Sequence, residues 1–310
     1  MGQNRLQAWA KTPNKGGSGS FDEDKHPRDD KGKFSSTGGG GGSEKPGGAP
    51  IEGKRVWTDK LPAGMKAETW MSHYDKSPWE GGKPSDERYA TIHKPLIDKA
   101  LDVKPAAYGE QKMAILTMGA PASGKSSALR GIDTSRYVKV DPDALMEHIP
   151  EYKAAIADRN NTFSGAANMA HTEAADIGDH VQAAAMKAGN HLVIDGTGFN
   201  AKSMSDRIQA LQAAGYHVHL AMPHLEAEEG EKRALARANS SGRMVPPEFV
   251  SAAYKVIPRN FGRLAHLADS AALFDNSGKA PRMVFETKKG HKDTVHDPDF
   301  MRHFRAKHSG

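Results

Sequence analysis

From residue 113 onward, short aliphatic runs alternate with stretches of helical period. Met113-Ala114-Ile115-Leu116-Thr117-Met118 is a continuous apolar run of strand length, and Tyr137-Val138-Lys139-Val140 is a second. His191-Leu192-Val193-Ile194-Asp195-Gly196-Thr197 carries a third, and 216–222 a fourth that Pro223 ends. Residues 271–275 and 283–286 read as the last strands. Runs buried on both faces are the mark of parallel strands covered by helices. The helices lie between them. Ala170, Ala174, Ile177, Val181, Ala185 and Ala188 form one stripe, closed by Gly189, and Ile208, Leu211 and Ala214 form another, stopped by Gly215. A charged helix over 226–239 breaks at Ser240-Ser241-Gly242, and Pro246-Pro247-Glu248 opens the next. This alternation predicts an α/β fold with a mostly parallel central sheet flanked by helices.

The chain before residue 109 is different. Ser85 followed by Asp86 and Glu87 reads as a helix start, with Tyr89, Ile92, Leu96, Ile97 and Ala100 at helical spacing and Pro95 expected to bend it. Trp57, Trp70, Tyr74, Trp79 and Tyr89 suit packing better than ligand stacking. Residues 51–108 therefore read as a leading helical segment that covers one sheet edge. Residues 1–50, with Gly16-Gly17-Ser18-Gly19-Ser20 and a glycine run from Gly38, read as a disordered Gly/Ser-rich charged tail. Within it, the segment 21–34 resembles a short element of phage-encoded proteins and reads equally well as a solvated linker. The division is then 1–50, 51–108 and a domain over 109–310.

Composition narrows the chemistry. There is no Cys among 310 residues, which removes disulfides, thiolate metal sites and Cys nucleophiles together and fits a reducing, cytoplasmic compartment. No apolar run approaches the roughly 18–20 residues of a membrane span. A net charge of +5 suits acidic small substrates such as phosphates and does not by itself indicate nucleic acid.

Gly119-Ala120-Pro121-Ala122-Ser123-Gly124-Lys125-Ser126, followed by Ser127, matches G-x-x-x-x-G-K-[ST] between a predicted strand and a predicted helix. Its glycines let successive N–H groups wrap a phosphate chain, Lys125 brings a cation to the β/γ-phosphates, and the Ser126 hydroxyl suits Mg²⁺. Asp143, past the end of the second strand, can take a proton from an attacking hydroxyl; Asp141 can serve a metal-bound water, and either can instead cap a helix. Asp195 ends an aliphatic strand, the arrangement that holds Mg²⁺ in nucleotide enzymes, with a helix cap as the alternative. Arg233, Arg237 and Arg243 surround the Ser240-Ser241-Gly242 break, as in an arginine-bearing lid. Glu173 offers an acceptor for a sugar hydroxyl. His171 reads as a packed or surface histidine, and the late histidines 291, 296, 303 and 308 as solvated.

From Ser85 to about Glu286 the chain resembles the zeta toxin family of P-loop kinases. The matching residues are the 119–126 loop, Asp141-Pro142-Asp143 with Pro150-Glu151-Tyr152, His171-Thr172-Glu173-Ala174, Asp195-Gly196-Thr197 and Gly242-Arg243-Met244-Val245-Pro246. The resemblance implies a core of five or six parallel strands, ATP or GTP with Mg²⁺, and phosphorylation of the 3′-hydroxyl of the sugar in UDP-N-acetylglucosamine. It makes Asp143 the base, Lys125 and Arg243 phosphate stabilisers, and Glu173 and Thr197 substrate contacts, and it implies an antitoxin partner. It leaves the second lid arginine open between Arg233 and Arg237. Two other readings stand beside it: a kinase of the same core acting on a nucleoside, cofactor or antibiotic, and a phage-associated protein with a relic nucleotide site. Intact Lys125, Asp143 and Arg243 argue against the relic.

Overall fold

The computed structural model describes residues 55–66, 72–78 and 81–308. The tail read over 1–50, its segment 21–34, and Trp70 and Trp79 lie outside the described residues. The strands are β1 (Trp57–Thr58), β2 (Lys112–Thr117), β3 (Tyr137–Val140), β4 (Thr162–Phe163), β5 (His191–Asp195), β6 (Tyr216–His224), β7 (Ser270–Asp275), β8 (Arg282–Lys288) and β9 (Thr294–Val295). A seven-stranded sheet has the order β3-β5-β2-β6-β7-β8-β9, and β1 pairs with β4 in a small parallel sheet of its own. The strands β3, β5, β2, β6 and β7 are mutually parallel, while β8 and β9 join antiparallel at one edge. The aliphatic runs account for this arrangement: Ala114, Ile115, Leu116, Leu192, Val193, Ile194, Val218 and Leu220 are all buried. A strand apolar on both faces needs helices above and below it.

The helices are α1 (Asp86–Arg88), α2 (Lys94–Ala100), α3 (Lys125–Ala128), α4 (Pro142–Met146), α5 (Pro150–Ala157), α6 (Ala166–Ala188), α7 (Ala201–Ala213), α8 (Ala227–Ser241), α9 (Pro247–Leu267) and α10 (Pro298–His308). The long helix α6 follows the predicted stripe, burying Ala170, Ala174, Ile177, Val181 and Ala185 and ending on left-handed Gly189. The leading segment lies against α6 and the edge strand β3.

Four local expectations are corrected. Between α1 and α2 the chain forms a π-helical turn over Tyr89–His93 instead of a bend at Pro95. A π turn adds a residue and shifts the buried face, so Arg88, His93 and Ile97 are buried while Tyr89 is exposed. The helix after the phosphate loop begins at Lys125 and lasts a single turn, ending at Ala128, where the sequence reads Ser127-Ala128-Leu129-Arg130 as the start of a helix. β6 runs through Pro223 to His224. Pro223 lies one residue pair past Ala221, whose partner Thr117 is the last residue of β2; its missing N–H faces the side where no ladder remains. The C-terminal helix α10 was not predicted. Its Met301 and Phe304 are buried, and His308 packs edge-on to His224 and tilted against Phe304 rather than standing in solvent.

Candidate active site

The carboxyl ends of β2, β3 and β5 meet at one edge, the side of a parallel sheet where ligands bind. Register decides which side chains arrive there. Thr117 pairs with Asp195, and Val140 with Ile194, so Asp195, Asp141 and the loop after β2 come out level with one another.

The phosphate loop is held from all sides. Gly119 N–H donates to Thr197 O at 3.0 Å and Met118 N–H to Ala221 O at 2.9 Å. The Tyr254 hydroxyl donates to Pro121 O at 2.9 Å, and Asn276 Nδ2 to Ser123 O at 2.8 Å. Gly124 has φ +92°, and a Cβ there would stand 2.0 Å from Asn276 Nδ2. Only glycine fits that position, for reasons of both conformation and space. Ala122, at φ 61°, is also left-handed, a strained backbone for a residue with a Cβ and a usual feature of ligand clamps.

Around the loop the charges converge. Lys125 Nζ lies 3.7 Å from Asp195 Oδ2, and the Thr117 hydroxyl donates to Asp195 Oδ1 at 2.5 Å. Carboxylate oxygens of Asp141, Asp143 and Asp195 lie within 4.8 Å of one another. Burial raises the Asp195 pKa, Lys125 and Thr117 oppose this, and Asp141 and Asp143 add to it. Three hard oxygen donors gathered in this way suit Mg²⁺. Asp141 is also the N-cap of α4, its Oδ1 accepting from Asp143 N–H and Ala144 N–H, which leaves Oδ2 for the cluster. Asp143 does not cap. Its Oδ2 meets Arg243 Nη2 at 2.5 Å. Nor does Asp195 cap the next helix, because Asn200 does so by accepting from Ser203 N–H.

The comparisons bear on the fold and the family. A family model described as zeta toxin matches residues 97–284, more than half of the chain. The chain belongs to the zeta toxin family. Among solved structures, a chain of the PezAT chromosomal toxin–antitoxin system of Streptococcus pneumoniae aligns with a TM-score of 0.55 at 17% identity, covering 72% of this chain and 88% of that one. AvrRxo1-ORF1:AvrRxo1-ORF2 solved with ATP aligns with a TM-score of 0.59 at 16% identity, covering 81% and 80%. The same complex with sulphate ions gives 0.58 at 17%. No curated protein matches this chain.

In this zeta toxin family member the lid arginines are placed differently from one another. Arg243 follows the left-handed Gly242 that ends α8. Arg233, one turn before Arg237 on α8, is held by Glu229 at 2.7 Å and reaches Asn276 O at 3.3 Å, beside the phosphate loop. Arg237 is exposed and lies in electrostatic range of Tyr152, which also feels Arg243 and Asp143. The break read at Ser240-Ser241-Gly242 is corrected, because Ser240 and Ser241 belong to α8, which ends on Gly242. Gly242 is buried, and a Cβ there would stand 2.9 Å from the Arg55 guanidinium and 3.1 Å from Ile156. Asn239, just before it, accepts from Trp57 Nε1 at 3.3 Å. Arg55 and β1 therefore brace this end of α8.

Glu173 is also corrected. At 3% exposure it does not stand on the cleft wall, because Arg88 holds both its oxygens, at 2.7 and 2.8 Å, and His93 Nε2 lies 3.1 Å away. Arg88 binds Glu151 as well, at 2.7 and 3.1 Å. Burial would raise the Glu173 pKa, but the bonds from Arg88 and His93 prevail and hold it at about 2. The Thr197 hydroxyl accepts from Phe199 N–H at 3.2 Å and keeps its own proton to donate.

Sequence reasoning missed Asn276, Tyr254, Arg55 and Arg88. It also set aside His171, a surface-exposed residue whose pKa is lowered, by desolvation first, while Asp143 and Arg243 act on it in opposite directions. Only His171 carried a legible signal, since it opens the same motif as Glu173.

Proposed function

We propose that this chain is a kinase that transfers the γ-phosphoryl group of ATP to a hydroxyl of a nucleotide sugar, with the sugar 3′-hydroxyl of UDP-N-acetylglucosamine as first choice. The observation that carries it is the pairing of Asp143 with Arg243 beside the Lys125–Asp195 pair at the mouth of the phosphate loop. The loop N–H groups and Lys125 bind the phosphates. Asp143 accepts the proton of the acceptor hydroxyl, and Arg243, on leaving Asp143, meets the charge of the transferring phosphoryl group. Ser126, Asp195 and, with it, Asp141 would hold Mg²⁺, which supplies charge neutralisation at the phosphates. Thr197 and His171 line the acceptor side. Glu173 is left out of the acceptor contacts because its oxygens are taken. The named complexes of the neighbouring structures support an antitoxin as protein partner. We keep the division at residues 50 and 108 as part of the same reading.

The test is incubation with ATP and Mg²⁺ and a panel of nucleotide sugars, nucleosides and cofactors, read by mass spectrometry for added phosphate. Phosphorylated UDP-N-acetylglucosamine is expected, and Asp143→Asn should lose about 10²–10⁴ of that rate with ATP affinity kept. Transfer confined to a nucleoside or cofactor would move the acceptor class. Turnover by Asp143→Asn above about a tenth of wild type would move the base.

A further inference from the structure

Behind the cleft, the π turn of the leading segment delivers His93 to α6. His93 is 0% exposed. Its Nε2 lies 3.1 Å from Glu173 Oε1, and a carboxylate held by Arg88 can only accept, so Nε2 carries the proton. In the neutral ring Nδ1 is then a bare lone pair. It is buried and has no hydrogen-bond partner. It faces Asp176 Oδ2 at 3.9 Å, too far for a hydrogen bond. His180 Nδ1 approaches the other oxygen, Asp176 Oδ1, also at 3.9 Å. One ligand atom from each of the three residues falls within 4.8 Å of the others.

We infer that His93, Asp176 and His180 bind a divalent transition-metal ion of the zinc class, clamping the leading segment to α6. Two imidazoles and one carboxylate favour zinc and its neighbours over magnesium or calcium. Three protein ligands leave a further position for water. The outer contacts are those of a metal site. A ligating histidine donates its other N–H to a carboxylate, as His93 does to Glu173, and a ligating carboxylate is itself hydrogen-bonded, as Asp176 is by the Tyr74 hydroxyl at 2.9 Å. Asp176 and His180 are four residues apart on α6 and so share a face. The side chain of His180 is 49% exposed, which gives an ion a way in. The neighbouring Asp179 is engaged by Arg207 at 3.0 Å.

Zinc is titrated into the full chain by calorimetry, with excess Mg²⁺ present to occupy the acids of the cleft. The comparison is wild type, His180→Ala, and His296→Ala as a control histidine that pairs with Glu286 elsewhere. One equivalent of zinc should bind wild type and His296→Ala, with roughly tenfold or greater weakening in His180→Ala, the scale at which even outer partners act. Zinc should raise the melting temperature of wild type and not of His180→Ala. Independently, Co²⁺ added to wild type should give visible ligand-field bands that Asp176→Asn loses. Equal zinc binding by wild type and His180→Ala, no zinc binding by wild type, or no cobalt bands from wild type would each overturn the site. None of these readouts depends on kinase activity, so their failure leaves the proposed reaction standing.

Discussion

Arg243 meets Asp143 at 2.5 Å, so in the proposed reaction the proton acceptor and the phosphate ligand neutralise one another until substrates separate them. An interaction formed only as charge develops on the phosphoryl group acts on the transition state. Arg243→Ala should therefore lower kcat and kcat/KM by similar factors, on the order of 10³ or more, with KM for ATP little changed. Arg243→Lys should recover part of this, because an ammonium lacks the forked contacts of a guanidinium. A raised acceptor KM with kcat intact would instead make Arg243 a binding residue and turn attention to Arg233 and Arg237. Asn276 acts earlier, in the ground state. Its amide fixes Ser123 O and sits where a Cβ on Gly124 would go. Asn276→Ala should loosen the loop and weaken ATP binding roughly tenfold, the worth of one hydrogen bond at about 1–1.5 kcal/mol, as read by nucleotide titration. Of these residues Arg243 was legible and Asn276 was not. The phosphate-loop glycines and lysine are a local pattern, whereas the residue that braces them follows β7, 152 positions after Gly124.

At the scale of elements, periodicity located most strands and helices because burial imposes it directly. It failed where the period itself changed. The stripe Tyr89, Ile92, Leu96 assumes 3.6 residues per turn, and the π turn moves Arg88 and His93 onto the buried face instead. It also failed for α10, which is amphipathic but polar on balance and docks through few side chains. One docking contact of α10 is His224, edge-on to Phe300, Phe304 and His308, beside the contacts of the helix with β8 and α9. Burial first, then His308, bring the His224 pKa down to about 4. The folded state thus favours neutral His224. Its contribution is full above the ordinary value of 6.5 and is lost as pH falls from there toward about 4. Tm measured across that window should decline, and His224→Phe, which keeps a ring against Phe300 and Phe304, should flatten the decline. An unchanged slope would show that α10 is not coupled to this histidine.

At the scale of the molecule, the Arg88 cluster ties the leading segment to α5 through Glu151 and to α6 through Glu173. Removing one partner of a buried ion pair costs about 3–5 kcal/mol, because the remaining charge stays buried alone. Arg88→Ala leaves two acids in that state and should lower Tm by about 10 °C or more, at a rough 2–4 °C per kcal/mol for a domain of this size. The sign with pH follows from Glu173. Its carboxyl is held at about 2, below its ordinary 4.5. The wild-type advantage should therefore be present above about pH 4.5 and vanish as pH falls toward about 2. A constant gap between wild type and variant over that range would show that packing, and not charge, is what Arg88 supplies.

The sequence by itself determined the α/β class, the phosphate loop, the three aspartates and the set of arginines, because each is written in neighbouring residues or in a period that burial enforces. The tertiary structure alone decided which aspartate caps and which pairs with Arg243. It alone decided that Glu173 is buried under Arg88, that Gly242 is braced by Arg55, and that His93 meets Asp176 and His180. Apart from the Asp141 cap, which is local, those are choices between partners 80 or more positions apart, such as His93 and Glu173. They depend on strand register and helix phase, which bring distant carboxylates, cations and rings within bonding distance, and no local pattern of residue types records that distance.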